Sequence, residues 1–139
     1  MSNELATKKE SAISTGVVTT ENAPIKAMEA FIAALPQAEF PLDHFFSDGL
    51  YARKMTMKPS CLLVGHEHKQ NHLAVLLKGQ VAVKSKQGTA VYNAPYVVNV
   101  LVGDKRAFFS VTEVEWMTIH ATTETDLNVI QKTVTGETI

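Results

Sequence analysis

The sequence has little that would staple, anchor or steer it. A single cysteine, Cys61, excludes an internal disulfide, so nothing in the chain demands an oxidising compartment. No apolar run approaches the roughly 18–20 residues that cross a bilayer as a helix. Fourteen acidic side chains nearly cancel thirteen basic ones, for a net charge of −1. That balance gives no electrostatic reason to expect nucleic acid or a membrane surface as partner. The opening Met1-Ser2-Asn3-Glu4-Leu5-Ala6-Thr7-Lys8-Lys9 lacks the apolar stretch of a secretory signal, and the cytoplasm is the expected location. What remains is 139 residues, 45% apolar and 19% charged, suited to one globular domain with a real core.

Residues 1–22 are rich in Ser, Thr, Glu and Lys, with only Leu5, Ile13, Val17 and Val18 scattered among them. Such a segment buries too little apolar surface to offset its ordering entropy, which predicts a flexible N-terminal arm, free or ordered against a partner subunit. The domain proper is expected over residues 23–139. Asn22 and Pro24 mark a helix start, and Ile25, Met28, Ile32 and Leu35, with Phe31 beside them, recur at helical spacing before Pro36. That stripe predicts a face docked on the rest of the domain. The passage through Pro41 and Ser47-Asp48-Gly49 reads as turn-rich.

From residue 50 onward, short β-prone runs arrive every eight to ten residues. Approximate strands are expected at 50–57, 61–66, 72–77, 80–85, 89–93, 97–102, 106–111 and 114–120. Pro59-Ser60, Lys78-Gly79, Gln87-Gly88, Gly103-Asp104 and Thr112-Glu113 fall between them as turns. Many evenly spaced short strands with no helices interleaved predict an all-β closed barrel or jelly roll. The stretch from Glu124 to Ile130 suits either a last strand or a short helix.

Three of the five histidines fall within seven residues, as His66-Glu67-His68-Lys69-Gln70-Asn71-His72. On an extended strand His66 and His68 share a face, and a bend before Leu73 would bring His72 back over them. Three converging neutral imidazoles are a common way to hold Zn, Fe, Ni or Cu with a position left open. The same spacing also suits a polar, histidine-rich surface turn.

At these residues the sequence resembles the cupins. Their first motif runs glycine, His-x-His, three or four residues, Glu, six residues, glycine. Here His66-x-His68, His72 and Gly79 reproduce the spacing, with histidine at the usual glutamate position. The second motif, Pro-x-Gly-x-x-His, aligns with Leu101-x-Gly103-x-x-Arg106, so arginine takes the place of the fourth ligand. The resemblance is tighter to small cupin-like proteins of tailed phages and prophages. It rests on Gly65-His66-Glu67-His68-Lys69, Gly103-Asp104-Lys105-Arg106 and Trp116-Met117-Thr118-Ile119-His120-Ala121-Thr122. In that group Asn71 is often glutamate. The resemblance implies a cupin-type small β-barrel and a divalent transition metal (Zn, Fe or Ni) held by His66, His68 and His72. It also implies a phage-encoded protein, placed in the host cytoplasm or the virion, that self-associates or joins other virion proteins.

Arg106, in the slot of an inward ligand, is expected either to clamp a carboxylate or phosphate of a bound molecule or to pair with Glu113 or Glu115 at the rim. A tight turn at Thr112-Glu113 would pair the 106–111 and 114–120 strands and bring His120 to the mouth, as fourth metal ligand or hydrogen-bonding rim residue. His44 is expected to be structural, near the helix–barrel junction. Trp116 and Met117 read as core, and Cys61 as a small buried hydrophobe in a strand. Three function classes follow: a metal-binding module with no assignable reaction, a structural virion component, and a cupin metalloenzyme of oxygenase or isomerase type. The missing carboxylate counts against the last, which needs a proton-transfer group.

Overall fold

The computed structural model describes residues 23–65 and 67–135, so the expected arm at residues 1–22 lies outside the described residues, and so does His66. The elements are α1 (Ala23–Ala33), β1 (Leu42–Ser47), β2 (Leu50–Met57), β3 (Leu62–Val64), β4 (His72–Lys78), β5 (Gln80–Ser85), β6 (Gly88–Asn93), β7 (Tyr96–Val100), β8 (Ala107–Ser110), β9 (Val114–Ala121) and α2 (Leu127–Thr135). The strands form two antiparallel sheets, ordered β1-β2-β9-β4-β7 and β3-β8-β5-β6. From β2 onward the chain passes repeatedly between the sheets, as a jelly roll must. The expected all-β barrel with one leading helix is the observed architecture.

The core lies between the sheets. It gathers Met55 and Met57 from β2, Leu63 from β3, Ala74 and Leu76 from β4, Val81 and Val83 from β5, Phe108 from β8, and Val114 and Trp116 from β9. Each contributes alternate residues because successive strand side chains point to opposite faces. The helix α1 sets Ile25 and Ile32 against Val64 and Ala107, on the outward side of β3 and β8. Phe31 and Leu35 of the predicted stripe remain exposed. Gln37 Nε2 donates to the carbonyls of Ile32 (3.1 Å) and Leu35 (2.7 Å), satisfying acceptors the helix end leaves over.

The structure departs from the sequence reading in four places. The turn-rich passage holds a full strand, β1, joined to β2 by Asp48-Gly49 with Ser47 opposite Leu50. Gly49 takes φ +77°, and Asp-Gly between β-prone runs is itself a strong hairpin signal. The 106–111 and 114–120 runs do not pair. They lie in different sheets, because the amides of Val111 and Thr112 bond the carbonyl of Gln80 and carry the chain across (3.0 and 3.4 Å). The strand expected at 61–66 is shorter, with Cys61 half-buried just before it and His68 in the loop beyond. After Thr122 the chain takes the helical one of the two expected alternatives, capped by Asp126, whose Oδ1 accepts the amide of Asn128 at 2.9 Å. Finally, His44 lies on β1, away from the α1 contact.

Gly79 marks where two sheet-to-sheet crossings touch. It has φ +90°, and a Cβ there would collide with the carbonyl oxygen of Glu113 and lie 2.6 Å from Thr112 Oγ1. Gly49 has a similar φ but nothing within 4 Å of its notional Cβ. Gly79→Ala should therefore cost about 3 kcal/mol or more in denaturant unfolding, against about 1 kcal/mol for Gly49→Ala, where only backbone strain acts. Equal costs at the two positions would show that the crossing is not tightly packed.

Candidate functional site

At one end of the barrel the inward-facing residues change from apolar to polar. Along β9 the inward set runs Val114, Trp116, Thr118, His120; along β2, in the reverse direction, it runs Met57, Met55, Arg53, Tyr51. The register sets Met55 opposite Trp116, Arg53 opposite Thr118 and Tyr51 opposite His120. On β4 the sequence Leu76, Ala74, His72 follows the same gradient, with Leu76 opposite Trp116 and Ala74 opposite Thr118. Three neighbouring strands thus deliver their polar inward residues to one level.

The imidazoles collect there. His72 and His120 have ring centroids 4.4 Å apart, and His68, reaching in from the β3–β4 loop, lies 4.4 Å from His72. His120 is only 3% exposed and His72 6%. The Nδ1 of His72 lies 3.3 Å from the carbonyl oxygen of Gln70. A carbonyl only accepts, so Nδ1 is the protonated nitrogen and Nε2 carries the lone pair. That Nε2 is buried and has no hydrogen-bond partner among the described residues; the same holds for Nδ1 of His120, whose Nε2 lies 3.0 Å from Thr118 Oγ1. Leaving such an atom unsatisfied costs about 1–3 kcal/mol, so these two nitrogens point to something that binds them.

The loop that brings His68 in is tied to the loop before β8. His68 donates its amide to Asp104 O (3.2 Å) and accepts from Gly103 N (3.0 Å), while Asn71 Oδ1 accepts the amide of Val102 at 2.8 Å. Asn71 is therefore a loop fastener. Buried Lys105 holds both Glu29 of α1 (Nζ to Oε1 3.3 Å) and the carbonyl of Gly65 (3.1 Å), which anchors the chain just before His66.

Arg106 lines the cavity, but its acid partner is neither Glu113 nor Glu115. It pairs with Asp104 (Nη2 to Oδ2 3.1 Å), while Glu113 pairs with Lys78 at 2.8 Å on the surface. The cavity has about 50 Å³ of room for water-sized molecules, and Arg53, His68, His72, Trp116 and Thr118 also line it. Arg53 was not singled out from the sequence, although its parity with Met55 and Met57 on one strand turns it inward. His44 contributes from further out: its Nδ1 lies 2.8 Å from the Tyr51 hydroxyl, and Tyr51 stacks on His120 at 5.9 Å. Helix α2 covers this end, with Ile130 and Leu127 against Tyr51 and Gln131 Oε1 accepting from Arg53 Nη1 at 3.2 Å.

No protein-family model matches the sequence, and no curated protein matches it in sequence. Solved structures do resemble it. A cupin superfamily protein from Desulfitobacterium hafniense superposes with a TM-score of 0.53 at 11% identity, over 66% of this chain and 84% of that one. An RmlC-like cupin from Methanocaldococcus jannaschii, described as a double-stranded β-helix, gives 0.52 at 11% identity over 60% and 81%. The Cnp3 cupin domain of Schizosaccharomyces pombe gives 0.51 at 15% identity over 67% and 68%. This chain has the cupin fold.

Cupins commonly bind divalent metals, and the residues at the cupin mouth can be tested for it. Among the described residues no group of three His, Cys, Asp or Glu side chains is arranged to hold a metal ion as it stands. The lone pair of His72 Nε2 and the unpartnered Nδ1 of His120 nonetheless lie on adjacent buried rings, with a third imidazole beside them. That donor chemistry fits a borderline divalent metal, and completing the set takes His66 or a rotation of His68.

Burial holds these imidazoles neutral. It pushes His120 down to about 3 from 6.5, with His72 and Arg53 adding to the effect; burial also lowers His72, as do Arg53 and Arg106. The unfolded chain therefore binds protons at these histidines before the folded one does. Their contribution to stability is complete above pH 6.5 and is lost progressively as pH falls toward about 3. Metal-free protein should weaken between pH 6.5 and 5, before most carboxylates titrate, and His120→Gln should reduce that slope by up to about 1.4 kcal/mol per pH unit. Urea titrations at successive pH values check this; identical slopes for the two proteins would contradict it.

Proposed function

We propose that this protein is a metal-binding module in which His72 and His120 hold a divalent transition metal together with His68 and His66. The observation that carries the reading is the pair of buried ring nitrogens without a partner among the described residues, Nε2 of His72 and Nδ1 of His120. The contact from Gln70 O to His72 Nδ1 supports it as well, since an outer hydrogen bond of this kind fixes the tautomer that ligates a metal. A bound metal would supply Lewis acidity at the barrel mouth. Arg53 and Arg106 bring positive charge close to that place, so the imidazoles must bind strongly enough to offset the repulsion.

Binding ranks above turnover because His72 stands where the cupin motif usually carries its glutamate. The virion-scaffold reading rests on the sequence resemblance and on residues 1–22, outside the described residues.

Protein purified without an affinity tag, stripped with chelator and reloaded with Zn or Ni, should take up close to one equivalent per chain by elemental analysis. His72→Ala and His120→Ala should each weaken uptake about tenfold or more, since the remaining imidazoles hold a metal less well. Unchanged stoichiometry and affinity in both variants, with folding confirmed by circular dichroism, would remove these residues from the site.

A further inference from the structure

Two guanidinium groups enter the cavity from opposite sheets. Arg53 comes from β2, and Arg106 from the residue before β8. Each is held from behind, Arg53 by Gln131 at 3.2 Å and Arg106 by Asp104 at 3.1 Å, so the forks are oriented before any ligand arrives. The Nε of Arg106 is buried with no hydrogen-bond partner among the described residues, which leaves donor capacity unused at the wall. The remaining lining is largely apolar, with Met55, Leu63, Phe108 and Trp116 below the polar level. The cavity, roughly 50 Å³, suits a small molecule rather than a large one.

We propose that the cavity binds a small carboxylate, its anionic head held by Arg53 and Arg106 and its short apolar body against Trp116 and Phe108. The guanidinium fork matches a carboxylate with two parallel hydrogen bonds, and an anion there offsets part of the cost of bringing two cations to one partly buried place. Inorganic phosphate satisfies the forks equally but has no apolar body to cover the aromatic wall, and for that reason the carboxylate is favoured. The neutral imidazoles add hydrogen-bonding capacity without adding charge, which keeps the two arginines as the source of selectivity for an anion. The inference takes from the proposed function the reading of the mouth as a ligand pocket, but it does not need the metal.

The test uses the metal-free full chain, with butyrate, butyramide and inorganic phosphate as probes. Binding is followed by calorimetry and by the fluorescence of Trp116, the only tryptophan in the chain. Butyrate should bind and perturb Trp116, with butyramide weaker by about tenfold or more, the scale of a lost charge-assisted hydrogen bond. Arg53→Gln and Arg106→Gln should each weaken butyrate by a similar factor. The butyrate–butyramide comparison runs on the wild type and survives a variant that fails to fold. Equal binding of the acid and the amide, no binding of either, or phosphate binding more tightly than butyrate would each overturn the proposal. Metal uptake by the wild type is measured separately. Loss of the carboxylate result with uptake intact overturns this inference alone, and butyrate binding without metal uptake overturns only the metal reading.

Discussion

Everything at the candidate site depends on the two-residue period of the strands in the five-stranded sheet. Because Val114 and Trp116 must face the core, Thr118 and His120 face the same way; because Met55 and Met57 are inside, so is Arg53. The apolar half of each strand commits the polar half to a buried position. Register then aligns the polar halves of β2, β4 and β9 at one end, so a cluster of polar side chains inside the barrel follows from packing at the other end. A slip of one residue in any of these strands would turn its imidazole or guanidinium to solvent and its apolar core residues with it.

Burial has a cost that the chemistry at the mouth reflects. Imidazoles placed there lose hydration, and the two nearby arginines oppose any charge on them, so His72 and His120 stay neutral with lone pairs available. Desolvation is the larger influence for both. Neutral imidazoles with a fixed tautomer are what a metal or a hydrogen-bonding ligand requires. The surrounding structure maintains the arrangement through specific ties: Gln70 on His72, Thr118 on His120, Asp104 on Arg106 and Gln131 on Arg53.

Much of this was legible in the residues, and the gaps have physical reasons. Strands β2 and β5 were readable to their ends because Gly and Pro punctuate them, and the glycine of the histidine motif, Gly79, proves to be a place where no side chain fits. Strand β1 is hidden in the sequence because Pro41 and Asp48-Gly49 suit a loop as well as the edges of a hairpin. The two last β runs read as partners because chain neighbours usually pair, whereas here the backbone bonds of Val111 and Thr112 to Gln80 send them to different sheets. Arg53 and the inward placement of His120 were both available from alternation with Met55 and Trp116. The roles of Asp104, Lys105 and Gln131 were not, since they arise from loops and a helix brought together only by the fold.

The tautomers of the buried histidines test the account most directly. Nitrogen-15 NMR of metal-free protein near pH 7, correlating ring nitrogens with ring protons, distinguishes a protonated from an unprotonated nitrogen in each imidazole. The account predicts His72 neutral with the proton on Nδ1 and an unprotonated Nε2, and His120 likewise neutral, its nitrogens unchanged until the solution is well below pH 6. A His72 protonated on Nε2, or either ring present as imidazolium near neutrality, would contradict it, because the lone pairs on which the site depends would not exist.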